Sequence, residues 1–314
     1  MNSVGIDISK GRSTIAVMRP FGEIVISPFE VRHTDSELSE LARRLKSLNG
    51  ETRVVMEATG NYHAPVAKLL HDAGLYVSVV NAKLVHGYGN NDLRRVKTDR
   101  KDAVKLANYG LDRWLTLPRY VPEENTRLLL KNCYRQYRQY SKVQTVLKNN
   151  LISLLDMTFP NANRLFVSPA RADGSEKWVD FVAEFWHCEC VSERSLKSFV
   201  NKYWRWCRKH GYNFSEEKAH AIYDEASGHI GVMPKSETTK LLVEQAVSQL
   251  SATSAALAAL KQEMQSLSSQ LPEYPVVMGM FGVGPILGPQ LIAEIGDVRR
   301  FYSKKALVAY AGID

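Results

Sequence analysis

The sequence contains no run of eighteen apolar residues, so a membrane-spanning helix is excluded. It has only four cysteines among 314 residues, at no framework spacing. That argues against a disulfide-stapled secreted fold and for a reducing cytoplasm. No charged and apolar leader opens the chain: Met1-Asn-Ser-Val-Gly-Ile-Asp7 already reads as strand, and no signal peptide is expected. Acids are in deficit, 33 Asp and Glu against 41 Lys and Arg, for a net charge of +8 and a pI near 9.2. Such a balance favours a polyanionic partner and leaves the fold open. What is present is ordinary for a soluble globular protein, 45% hydrophobic and 24% charged residues, with length for two or three domains.

The stretch Arg94-Arg-Val-Lys-Thr-Asp-Arg-Lys-Asp-Ala-Val-Lys105 carries two acids among six basic residues. On a helix, positions i and i+3 share a face, so Asp99 and Asp102 point the same way. Two neighbouring carboxylates repel unless a positive group lies between them. The flanking Lys and Arg are one candidate for that group. A divalent ion is the other, since oxygen ligands suit Mg²⁺ or Mn²⁺. Taken alone, the stretch reads first as a solvated, salt-bridged helix face.

Upstream, residues 4–8, 13–18 and 23–29 read as three consecutive antiparallel strands. A helix over 35–48 follows, with Thr34 as N-cap and Glu37 as its capping-box partner. A strand at 53–57, a helix at 62–73 closed by Gly74, a strand at 75–80 and a helix from about 98 to 114 complete the pattern. Alternating strands and helices predict a mixed or parallel sheet with right-handed crossovers. In such sheets sites form beyond the carboxyl ends of strands. Glu57 stands at such an end and Asp7 near another, although Asp7 also suits a turn cap before Ser9 and Gly11. Asp7, Glu57, Asp99 and Asp102 could thus meet at one edge, a constellation suited to two-metal phosphoryl transfer. Lys97, Arg100 and Lys101 would then face substrate phosphates, with Arg94 and Arg95 beside them.

Gly5-Ile-Asp7, Met56-Glu-Ala-Thr-Gly60 and Lys97-Thr-Asp-Arg-Lys-Asp-Ala103, in that order, resemble the motifs of the DEDD transposases of insertion sequences. Phe281-Gly-Val-Gly-Pro285 and Phe301-Tyr-Ser-Lys-Lys-Ala-Leu-Val-Ala-Tyr-Ala-Gly312 resemble the start of that family's transposase domain. The resemblance implies an RNase H-like (RuvC-like) α/β N-terminal domain. Long coiled-coil helices, a helical insertion and a mostly helical C-terminal domain with a helix-hairpin-helix-like element would follow. It further implies a DNA transposase or recombinase guided by a structured bridge RNA, with Mg²⁺ or Mn²⁺ on Asp7, Glu57, Asp99 and Asp102. Assembly as a dimer or tetramer on nucleic acid is implied too, as is a bacterial, cytoplasmic, nucleoid-associated setting. Family members continue into a segment with a catalytic serine; no serine of this chain matches it, and the expectation is either a truncation ahead of that segment or a part of something longer.

The remainder is predicted helical. From 123 a helix runs about thirty residues, with Leu130, Cys133, Tyr137, Tyr140, Leu147, Leu151 and Leu154 as its apolar stripe. Between Asn125 and Leu155 six Lys and Arg meet no acid. Lys131, Arg135, Arg138 and Lys142, interleaved with Tyr134, Tyr137 and Tyr140, read as a nucleic-acid backbone contact. Residues 176–232 read as a small helical insertion whose aromatics are core. His187, Cys188, Cys190, Cys207 and His210 form a possible zinc set, but Cys-x-Cys departs from the usual spacing, and buried thiols explain the cysteines more simply. A seam of Leu250, Thr253, Leu257, Leu260, Met264, Leu267 and Leu271 predicts a heptad helix that pairs with the first long helix or with another protomer. Gly282 and Gly284, ahead of a helix at 286–295, allow close approach to a phosphate, and Ser303 caps the last helix.

The expected divisions are 1–120, 121–159, 160–235, 236–272 and 273–314. Two rivals to a recombinase remain: a standalone junction resolvase or DNA invertase cutting with water, and a non-catalytic nucleic-acid-binding protein whose acids are merely paired.

Overall fold

The computed structural model describes residues 1–58, 60–88 and 98–313. The chain divides into two compact units, residues 1–122 and 123–314.

In the first unit β1 (Asn2–Ser9), β2 (Arg12–Arg19) and β3 (Glu23–Arg32) form an antiparallel meander. Helix α1 (Asp35–Lys46) leads to β4 (Thr52–Glu57), and α2 (His63–Asp72) leads to β5 (Tyr76–Val80). The strand order is β3-β2-β1-β4-β5, with β4 parallel to both β1 and β5. Both faces are covered, because alternate residues of each strand are apolar in both directions. On one face Val4, Ile6, Ile8, Val54 and Met56 pack against Leu38, Leu41 and Leu45 of α1 and Val66 and Leu70 of α2. On the other face Val55 and Val80 join Leu106 and Tyr109 of α4 (Asp99–Asp112), and Val85 of the short α3 (Ala82–His86) completes the layer. A three-stranded meander flanked by two parallel strands on its first-strand side, sandwiched by helices, is the RNase H-like fold.

Local chemistry accounts for the helix starts. Thr34 accepts the Glu37 N–H at α1, as its position predicts. The reciprocal half of the capping box is different: the Glu37 carboxylate takes the Arg32 N–H (2.7 Å), since the chain leaving β3 presents that donor first.

The second unit is built on α5 (Asn125–Thr158) and α10 (Glu237–Ser269). They lie antiparallel: Leu130 meets Met264 and Leu267 at one end, the Gln144 amide donates to Ser254 Oγ (2.8 Å) midway, and Leu151 and Leu155 meet Val243 and Leu250 at the other end. The heptad seam of α10 is thus satisfied within the chain. Between these helices in sequence lie α6 (Lys177–Glu184), α7 (Glu189–Ser192), α8 (Leu196–His210) and α9 (Glu216–Gly228). Their core is aromatic, with Phe181, Phe185, Phe199, Tyr203 and Trp206 buried together beside the α5 and α10 ends. Trp204, 41% exposed, and Phe214 are the exceptions. Three short helices finish the unit: α11 (Tyr274–Met278), α12 (Leu287–Ile295) and α13 (Lys304–Tyr310). Ser303 accepts the Ala306 N–H at the start of α13.

Candidate active site at the carboxyl edge of the sheet

The last residues paired between β1 and β4 are Ile6 and Met56, and one residue further along each strand stand Asp7 and Glu57. Strand alternation fixes their direction. Asp7 shares a face with Ser3 and Gly5, and Glu57 shares one with Val55; in both cases it is the face that α4 covers. Both carboxylates are half-buried, and each has interaction partners in the fold.

Helix α4 is seated on β1 almost backbone to backbone. A methyl group on Gly5 would overlap the Ala103 carbonyl oxygen and the Ala107 nitrogen. One on Gly110 would overlap Ser3 Oγ and lie 2.8 Å from Val55 Cγ2. Because Gly110 lies over Ser3 while Ala103 and Ala107 lie over Gly5, the helix runs antiparallel to β1. Its first turn therefore extends towards the end of the strand that carries Asp7. Thr98 caps this turn by accepting the Lys101 N–H (3.3 Å), and the acids Asp99 and Asp102 suit the positive end of the helix. Asp102 is half-buried and Asp99 exposed. Among the described residues no three His, Cys, Asp or Glu side chains are drawn together as a metal shell. The donor chemistry nonetheless fits a hard divalent ion: oxygen ligands alone, on rigid strand ends and a helix start.

Arg100 and Lys101 are exposed on the same turn, and Lys105 donates to the His86 carbonyl (3.4 Å). Arg94, Arg95 and Lys97 lie outside the described residues. At the opposite end of α4, Arg53 is held between the rings of Tyr76 (4.5 Å) and Trp114 (4.4 Å) and donates to the Trp114 carbonyl. Sequence reading missed this clamp, since its three side chains are scattered along the chain.

On α5, Arg135, Arg138 and Lys142 are exposed and form no ion pair among the described residues, whereas Lys131 pairs with Glu123 (3.4 Å). Two further cations of that acid-free stretch are structural. Lys148 pairs with Glu176 (2.7 Å), and Arg127, 6% exposed, forms a bidentate pair with Glu273 and reaches the Gly296 carbonyl. Gly282, at φ 79°, and Gly284 form the turn between α11 and α12, with open space where their side chains would be.

The residues of the possible zinc set are engaged separately. His187 accepts the Glu189 N–H on Nδ1 (3.2 Å) and places Nε2 3.0 Å from the Met233 carbonyl. His210 stacks on Tyr212 and packs at a tilt against Trp206, and burial pushes the Cys190 and Cys207 thiols up, away from thiolate.

The strand order, β3-β2-β1-β4-β5 with β4 parallel to both neighbours, defines an RNase H-like fold. The chain belongs to the transposases of the IS116/IS110/IS902 family: residues 4–160 match the DEDD transposase model of the IS110 type, and residues 274–314 match the transposase model named for the whole family. Pilin gene-inverting proteins are similar to it. That of Moraxella bovis is 27% identical over 134 residues, 43% of this chain and 38% of the relative, and that of Moraxella lacunata matches to the same extent. The matched stretch thus spans well under half of those relatives. Among solved structures, Thermus thermophilus RuvC in complex with a Holliday junction substrate is 13% identical, covering 38% of this chain and 99% of its own at a TM-score of 0.29. A second Thermus thermophilus RuvC structure is 16% identical, covering 38% and 100%, at a TM-score of 0.27.

Proposed function

We propose that this chain acts in a DNA transposase or site-specific recombinase of a mobile element, cutting and exchanging DNA strands with a divalent metal. Asp7, Glu57, Asp99 and Asp102 would hold Mg²⁺ or Mn²⁺, which would supply Lewis-acid stabilisation of the charge that develops on a phosphate. Arg100 and Lys101 meet the scissile strand's phosphates, with Arg94, Arg95 and Lys97 alongside. Arg135, Arg138, Lys142 and Lys131 hold a nucleic-acid backbone on α5, and Gly282 and Gly284 let the chain approach a phosphate at the start of α12. A structured guide RNA selects the sites, and the chain works as a dimer or tetramer.

One observation carries the reading. Asp7 and Glu57 stand one residue past the last pairing of adjacent parallel strands, on the α4 face, and α4 runs so that its acidic first turn extends towards that end. Family membership and the gene-inverting relatives support the reaction class.

The test has two readouts. Mg²⁺ at 100-fold its Kd should raise the melting temperature by roughly 5 °C or more, and Asp7→Asn or Asp102→Asn should abolish that rise together with cleavage of branched DNA. Wild-type cleavage by Asp102→Asn would reject the metal site. Cleavage that never leaves a protein–DNA adduct would favour a resolvase, and sequencing the nucleic acid that co-purifies with the chain tests the guide RNA.

A further inference from the structure

We propose that the solvent face of α8 is a second nucleic-acid-binding surface, one that grips the phosphates of an unpaired DNA strand and stacks a base on Trp204. The helix lies in residues 161–273, which neither family match covers. Its inner face, Phe199, Tyr203, Trp206 and Cys207, is buried in the aromatic core. Its outer face carries Lys197, Asn201, Trp204, Arg205 and Arg208, spaced four, three, one and three, a single stripe about 16 Å long.

Most charged helix faces are merely solvated, with acids and bases mixed. This one differs in three ways. From Arg194 to Ser215 there are six Lys and Arg and no acid. Of these only Lys202 has a carboxylate partner, Glu184 at 3.4 Å; Arg194, Lys197, Arg205, Arg208 and Lys209 form no ion pair among the described residues. Trp204 stands 41% exposed with the Arg208 guanidinium 5.0 Å from its ring centre, although the other tryptophans of the insertion are buried. The helix start opens on a groove of about 530 Å³ lined by Arg194, Lys197, Asn201, Lys202, Arg205 and two serines.

Unpaired cations supply charge complementarity to phosphates, and an exposed indole offers a stacking platform that only an unstacked base can use. A duplex would need the cations but not the ring, so the occupant is a single strand. The choice of DNA rests on the proposed function.

The test uses the whole 314-residue chain in EDTA, so that failure of the metal site does not affect it. Labelled dT20, rU20 and a 20-base-pair duplex are titrated by anisotropy, with tryptophan fluorescence read alongside. Trp204→Ala should weaken dT20 binding roughly tenfold, remove most of the quenching and leave duplex binding unchanged. The double variant Lys197→Ala, Arg205→Ala should lower the salt dependence for dT20 by about 1.4 in slope. Melting temperatures near wild type exclude loss of fold. Unchanged dT20 affinity and quenching in both variants would overturn the proposal. Equal losses on duplex, or binding of rU20 tighter than dT20, would overturn the single-stranded DNA assignment.

Discussion

A methyl group at residue 5 is enough to test how the acidic helix is held. Gly5→Ala must push the Ala103 carbonyl and the Ala107 nitrogen away from β1. Overpacking of this kind costs about 1–3 kcal/mol, and here both colliding atoms are backbone. The expected outcome is a lower melting temperature together with loss of the Mg²⁺-induced rise, because α4 carries Asp99 and Asp102 as it moves. Gly5 was legible as a motif residue beside Asp7; its reason was not, because the collision is with atoms about a hundred residues away. A second test belongs to Arg127 and Glu273. The hydrogen bond from Arg127 holds the Glu273 carboxyl below its ordinary value of 4.5. A depressed carboxylate stabilises fully above its unfolded value and loses that contribution as pH falls through the folded one. Glu273→Gln should therefore cost about 3 kcal/mol at pH 7, and urea melts should show the gap to wild type narrowing as the pH falls below the ordinary carboxyl value of 4.5.

At the scale of elements, periodicity revealed more than contact did. The α10 seam was readable because its leucines recur by three and four, but two partners satisfied that pattern equally. The antiparallel fit of α5, with Gln144 bridging to Ser254, settles the pairing within one chain. Burial grades the seam: Leu257 is 4% exposed, whereas Leu260 is half-buried. Leu257→Ala should cost about 3 kcal/mol and Leu260→Ala under about 1.5, a ranking that thermal melts of the two variants can check. The capping box at α1 shows the limit of local rules. Thr34 does what its position dictates, while Glu37 takes a nearer donor supplied by the chain leaving β3.

For the molecule as a whole, an excess of eight positive charges predicts salt-dependent binding to nucleic acid without regard to sequence. Replacing Arg135, Arg138 and Lys142 together by alanine should reduce the slope of log Kd against log salt for duplex DNA by about 2.7, if each meets one phosphate. Arg127 and Lys148 should not be counted with them, since Glu273 and Glu176 already neutralise them. An acid-free stretch of sequence thus overstated its free charge, because the compensating acids arrive from elsewhere in the fold.

By itself the sequence determined the element types, the family and fold class its motifs resemble, and the acids and basic helices worth testing. These depend on residue type and short-range spacing, which the chain carries in linear form. Only the tertiary structure decided that Asp7 and Glu57 share the face covered by α4, that two glycines set its seat, that α5 and α10 pair with each other, and which cations remain unpaired. Those are facts about residues far apart in sequence, and packing alone brings them together.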